Sequence, residues 1–306
     1  MTRRGTAGGR RRTGRAALAG RPLPWVLPAA ATLLLLIALP AAFLFYVSFT
    51  AYELGFPWVD RVFVGFGHYR DLAAGADADF GISVRRSVAY AFLVTGGSLL
   101  VGIAVALLLH RPIPGRTLIT LVVIMPLAIS HAIGGLMWKL MYNVEFGILN
   151  HVLAALTGRR LNWLSDATAL YAVAVVGIWM GAPFVALFVL AGLESLPRGP
   201  FDAARVDGAG AWQVFRYLTL PLLRPLITIV GLFQAIDALK SFGAIYLLTE
   251  GGPGDATLVL PLHMYRVGFG YTNLLGRGSA IAVALIVLTM GLAAVLARLW
   301  RPAEAR

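Results

Sequence analysis

Residues 200–209 read Pro200-Phe201-Asp202-Ala203-Ala204-Arg205-Val206-Asp207-Gly208-Ala209, and the same connection closes on Leu218-Thr219-Leu220-Pro221. Pro200 suits the first turn of a helix, where its missing N–H would be unpaired anyway. Asp202 is then expected in that first turn, its carboxylate at the positive end of the helix dipole. Ala203 and Ala204 form helix readily and carry minimal bulk, so this short helix can enter a groove on another protein. Gly208 is free to adopt positive φ, which ends the helix and redirects the chain. Trp212, Phe215, Leu218 and Leu222 recur at helical spacing, predicting a second amphipathic helix that Pro221 and Pro225 should end. Any loop between two apolar segments can show alanines and prolines, so the reading rests on the full spacing.

What flanks this connection sets the class of fold. The 306-residue chain is 59% hydrophobic and 13% charged, with a mean hydropathy of +0.79. Soluble domains carry about 25% charged residues. Six segments, near 25–47, 87–109, 118–138, 169–192, 226–248 and 279–299, are long enough to cross a bilayer, which takes about 20 apolar residues. The expected architecture is therefore an all-α polytopic membrane protein with six transmembrane helices. With the N-terminus in the cytoplasm, the cytoplasmic segments hold 16 Lys and Arg against 4 acidic residues, and the external loops nine against nine. Asp237 and Lys240 cancel within the fifth span, so the net charge of +12 lies on one side, as the positive-inside rule expects. That distribution points to membrane lipids and away from nucleic acid.

Residues 1–24 are Arg- and Gly-rich without apolar periodicity, which predicts a disordered cytoplasmic tail; 301–306 reads as a C-terminal cytoplasmic tail. The first apolar stretch is long for a signal peptide and lacks a clear cleavage site, so it reads as an uncleaved span. The external loop 139–168 contains a helix-like stretch, Ile148 to Leu156, followed by Trp163, which suits a short interfacial helix.

The spacing in 200–221 resembles the EAA loop of ABC importer permease subunits: Glu-Ala-Ala, three residues, Gly, nine residues, Ile, one residue, Leu-Pro. Asp202 stands for Glu and Leu218 for Ile. Further likeness lies in Trp179-Met180-Gly181-Ala182-Pro183-Phe184, in Leu190-Ala191-Gly192-Leu193 and in Leu196-Pro197. After the loop, Phe242 through Thr249-Glu250-Gly251-Gly252-Pro253, with Thr257, Tyr265 and Phe269, is similar to the carbohydrate-uptake permeases of the maltose and glycerol-phosphate type. Val64-Gly65-Phe66-Gly67-His68-Tyr69 is similar as well. The resemblance covers about residues 25–300 and implies a type I ABC importer permease domain, with 193–225 as its coupling loop. It further implies a bacterial inner-membrane location, a second, related permease subunit, a cytoplasmic ABC ATPase dimer and an extracytoplasmic solute-binding protein. Asp202, Ala203, Ala204, Asp207, Gly208 and Pro221 would couple to the ATPase. Positions matching Phe184, Gln234, Ala238 and Ser241 line the sugar site of the maltose permease.

Asp237 and Lys240 lie three apart, so they share a helix face and can pair. Each costs about 2.5–3.5 kcal/mol at a helix centre, so neither should face lipid. They read either as a polar wall of a sugar pathway or as an ion pair between helices. Ser130-His131 falls in the third span, where a histidine bonded to a neighbouring carbonyl is the simpler expectation. Trp138 and Trp179 read as packing or interfacial residues before sugar platforms.

With no cysteine, the chain offers no thiolate ligand or nucleophile. No phosphate-loop pattern GxxxxGK[ST] occurs, so ATP would need a separate subunit. No catalytic constellation, metal-ligand cluster or cofactor motif is evident, and the chain reads as a transport subunit without its own ATPase site. A polyol, glycerol-phosphate or other small solute is the alternative within the same importer type. An ATP-independent secondary transporter is the alternative outside it.

Overall fold

A computed structural model describes residues 23–58, 61–270 and 272–299. The tails lie outside the described residues, except that Leu23 and Pro24 already belong to the first helix. The helices are α1 (Leu23–Val47), α2 (Gly67–Ala73), α3 (Ala78–Leu109), α4 (Arg116–Ile124), α5 (His131–Met141), α6 (Ile148–Thr157) and α7 (Ala169–Glu194). They continue with α8 (Arg198–Val206), α9 (Ala211–Val214), α10 (Leu220–Leu239), α11 (Gly243–Thr249), α12 (Leu260–Tyr265) and α13 (Leu275–Leu299). Among the described residues, five helical stretches are long and apolar enough to cross a membrane, or six if the bent pair formed by 116–128 and 131–141 counts as one span.

Helix α7 is the central element. It buries residues on all sides, including Val173, Val176, Val185 and Val189. Gly177 meets Tyr90 and Val94, and Gly102 meets Ala182 and Val185, so α3 runs parallel to α7. Gly192 meets Leu223 and Leu226, and Gly181 meets Gln234, so α10 runs antiparallel. The C-terminal ends of α3 and α7 therefore share one end of the bundle with α8 and the start of α10. Arg116 pairs with Glu194 there. Helix α1 is apolar all round and exposed almost throughout, an arrangement that suits hydrocarbon and not water.

Four expectations need correction. Helix α3 begins at Asp77, whose carboxylate caps Phe80 N–H at 3.2 Å, so Arg85 and Arg86 are helical and not in a loop. The third span is broken by 105° between 116–128 and 131–141. Pro126 occupies a 3₁₀ turn, Ile129 is extended, and the Ser130 hydroxyl caps a new helix by accepting from Ile133 N–H at 3.3 Å. The fifth span stops at Leu239 and not near 248, because Lys240 leaves the helix and Gly243–Thr249 forms α11.

Pro221, finally, does not end a helix. A π-turn at Phe215–Thr219 joins α9 to α10, and the helical rod runs unbroken from Ala211 to Leu239. The wider turn removes the carbonyl clash that a proline imposes on a regular α-helix. It also shifts the register. Trp212 and Leu222 are exposed while Thr219 and Leu223 are buried, so the expected stripe is not the packed face.

The far end of α3 is tied by Ser87, whose buried hydroxyl accepts from Leu260 N–H at 2.7 Å and so anchors the start of α12. Ser87→Ala leaves that donor unpaired in a dry site. A destabilisation of about 1–3 kcal/mol is expected, read as a lower unfolding midpoint of the purified protein in detergent.

Candidate functional site

Two regions collect the residues that the sequence singles out. The first is a cavity of about 330 Å³ between α3, α5, α7 and α10. Phe184, Gln234, Asp237, Ala238, Lys240 and Ser241 all line it. Tyr90, His131, Phe233, Met180 and Gly181 complete much of its wall. Polar groups gather on the α10 side because that helix ends here. Asp237 lies in its last turn, Lys240 caps it, and Ser241 follows.

Asp237 and Lys240 do not form the expected pair among the described residues; Lys240 is the C-cap at which α10 ends. The Asp237 carboxylate instead faces His131, with Nε2 at 3.8 Å, and both side chains are more than half exposed. His131 is thus not a buried histidine bonded to a carbonyl. The break in the third span brings it to the cavity as the first residue of α5. The Tyr90 hydroxyl stands 3.4 Å from Ser241 Oγ, joining α3 to α10. Sequence reasoning passed over Tyr90, a lone phenol in an apolar helix. Its only signal was a polar tip with no partner along its own helix.

Gln234 is buried between α7 and α10. A Cβ on Gly181 would stand 2.3 Å from its Nε2 and 2.8 Å from Ser98 Oγ. The glycine is what lets the amide lie against the backbone of α7. Phe184 packs on Phe188, ring centroids 4.6 Å apart, with part of its surface toward the cavity. Trp138 and Trp179 are not cavity residues. They pack edge to face at 5.8 Å, next to Tyr142 and Trp163.

The second region is α8. It begins at Arg198, so Pro200 does lie in the first turn, but Asp202 falls one turn further along and pairs with Arg205 at 3.1 Å. No residue of α8 is buried, and Val206 is 87% exposed. Gly208 takes φ +75°. Gly208 N–H donates to Arg205 O at 3.2 Å and Ala209 N–H to Ala204 O at 2.9 Å, the paired bonds of a Schellman turn. Asp202, Ala203, Asp207 and Gly208 are therefore exposed together on this short element, with Ala204 half-buried beside them. Pro221 belongs to another element, the first turn of α10.

With this geometry in hand, comparison with known proteins fixes the class. Residues 98–300 match the family described as binding-protein-dependent transport system inner membrane component. The chain is 38% identical over 277 residues to a probable ABC transporter permease protein of Sinorhizobium fredii, covering 90% of this chain and 88% of that one. It is 34% identical over 280 residues to the trehalose/maltose transport system permease protein of Thermococcus litoralis, covering 90% and 92%. A solved bacterial alginate ABC transporter, in complex with a periplasmic protein holding an alginate pentasaccharide, contains a chain of the same fold. The TM-score is 0.80 at 20% identity, over 95% of this chain and 97% of that one.

The protein is thus a multi-pass membrane permease. It belongs to the binding-protein-dependent transport system inner membrane component family.

The close approach at Gly181 is testable by a double-mutant cycle. Gly181→Ala alone should destabilise by about 1–3 kcal/mol through overpacking. In a Gln234→Ala background the same change should cost less than half as much, because the amide it strikes is gone. Unfolding midpoints of the four proteins check this.

Proposed function

We propose that the chain is one of two permease subunits in an ATP-driven, binding-protein-dependent importer of carbohydrate, and that it carries no ATPase site of its own. The observation that carries this reading is α8, a helix with no fully buried residue, only Phe201 and Ala204 half-covered, that ends in a glycine turn at positive φ. A helix left so largely exposed on its own chain gains further packing from another. A separate, cytoplasmic ABC ATPase dimer is the partner proposed. The basic segments, with both tails and α8, face the cytoplasm, and 193–225 is the coupling loop.

The path from motor to solute is mechanical. Helix α8 turns at Gly208 into the rod Ala211–Leu239, 29 residues long and about 40 Å at 1.5 Å per residue. A shift of α8 as the ATPases close is delivered along this rod to Gln234, Asp237 and Ala238. Those residues and Phe184, Lys240 and Ser241 form this subunit's half of the pathway. Carboxylate, amide and hydroxyl groups make directional bonds to sugar hydroxyls, and Phe184 offers an apolar face to a sugar ring. Ala238 gives no hydrogen bond, so this wall selects fewer hydroxyls than one with a polar residue there. The second permease supplies the other half, and a solute-binding protein delivers the sugar to the outer face.

Reconstitution of this chain with its sister permease, the ATPase and the binding protein tests the reading. Nothing lies within 4 Å of a Cβ at Gly208, so a substitution there acts on backbone conformation and on the docked partner. Gly208→Val should lower solute-stimulated ATP hydrolysis about tenfold or more, since a β-branched residue resists positive φ by 1–2 kcal/mol. Gly208→Asn tolerates that φ and should retain more activity. Equal activity in all three, with the complex intact, would remove α8 from the coupling role. Uptake that proceeds without the ATPase would remove the importer reading itself.

A further inference from the structure

At the end of the bundle opposite α8, the structure neutralises some cations and leaves others free. Arg277 and His263 both reach Asp77, each at 3.1 Å. Arg266 binds Asp255 at 2.9 Å and the Glu250 carbonyl. Arg85 and Arg86 make no ion pair or side-chain hydrogen bond among the described residues, and neither does Lys240.

Of these two arginines, Arg85 is exposed and Arg86 half-buried. With Ile82 and Ala89 they line a cleft of about 480 Å³ between α3 and the turn at Gly254. Of the acids at that turn, Asp255 pairs with Arg266, and Asp166, whose Oδ1 stands 3.0 Å from where a Cβ on Gly254 would be, pairs with neither Arg85 nor Arg86 among the described residues. Arg86 also precedes Tyr90 by one helical turn, so both lie on one side of α3. Tyr90 lines the larger cavity, and so does Lys240. Among the described residues, Arg86 therefore stands unpaired one turn from a residue of the cavity wall, with Arg85 beside it, and the Lys240 ammonium stands unpaired within that wall. The single acid of that wall, Asp237, already faces His131.

We propose that Arg85 and Arg86 form an anion-binding site at the mouth of the pathway, and that the solute is an acidic carbohydrate bearing a carboxylate, sulfonate, sulfate or phosphate group. The inference rests on the importer reading above. Guanidinium groups match such oxyanions with paired, charge-assisted hydrogen bonds. Lys240 receives the same charge deeper in, as a point cation, while Phe184 takes the ring. A phosphate in a lipid headgroup offers the same chemistry to Arg85 and Arg86. It does not explain the free ammonium in the cavity wall.

The test is uptake by proteoliposomes holding the full complex. The panel consists of neutral oligosaccharides, each matched by uronate, sulfonate and phosphate derivatives. Wild type is compared with R85Q/R86Q and with R85K/R86K, in phosphatidylcholine alone and with added phosphatidylglycerol. Intact assembly is checked by copurification of all subunits. The expected result is ATP-driven uptake of an acidic member, with its half-saturation concentration raised about tenfold by R85Q/R86Q relative to any neutral member. R85K/R86K should restore much of the loss in both lipid mixtures.

Uptake of neutral members alone overturns the inference and leaves the importer reading standing. So does acidic uptake with the same half-saturation in R85Q/R86Q. An effect of R85Q/R86Q seen only with phosphatidylglycerol assigns the arginines to lipid and overturns it as well. ATP-driven uptake of no carbohydrate at all overturns the importer reading itself.

Discussion

A peptide group inside hydrocarbon has to bond within its own chain, because no water is there to accept or donate. That requirement shapes this molecule more than any single contact. It makes the crossing segments helical, and it favours breaks in regular helix where protein or a polar cavity can cover them. Helix α7 meets the requirement most simply. It runs as one α-helix through Pro183, is the most buried of the spans, and is flanked by α3 and α10. The rest of the bundle is organised around that column.

The departures are informative because they cluster. The extended residue Ile129 with the cap at Ser130, and the end of α10 at Leu239, both border one cavity. Each frees backbone or side-chain polarity that a continuous helix would have consumed. His131 reaches the cavity because α5 starts there; Lys240 and Ser241 reach it because α10 stops there. A polar wall at membrane depth is thus made by interrupting helices, in keeping with the way transporters place binding groups at broken spans. Tyr90 and Gln234 enter instead from the interior of unbroken helices.

Much of this was legible in the sequence. Composition and apolar run length give the crossing segments, and the Asp202–Gly208 spacing gives a helix ended by a left-handed glycine, as found. The six residues expected along a substrate pathway lie together on the wall of one cavity. The errors have a common origin, which is that hydropathy measures burial and not continuity. Residues 240–248 are apolar enough to extend α10, yet the chain turns at Lys240. Residues 118–138 read as one rod because nothing in their polarity records a 105° bend; Pro126 and Ser130 were the available signs. Asp237 was matched with Lys240 by helical spacing, a rule that holds only while the helix does. Pro221 was taken as a stop because the π-turn that accommodates it has no compositional mark.

That π-turn has a geometric consequence of its own. Each residue of an α-helix advances the chain by about 100° around the axis. A π-turn carries one residue beyond the regular count, so Phe215–Thr219 offsets everything before it in azimuth against everything after it. The face of Ala211–Val214 and the cavity-facing residues of α10 are therefore set in angular phase by a single residue. The rod is built like a shaft with a keyed collar: without the extra residue, Gln234, Asp237 and Ala238 would be turned by about 100° against everything ahead of Phe215.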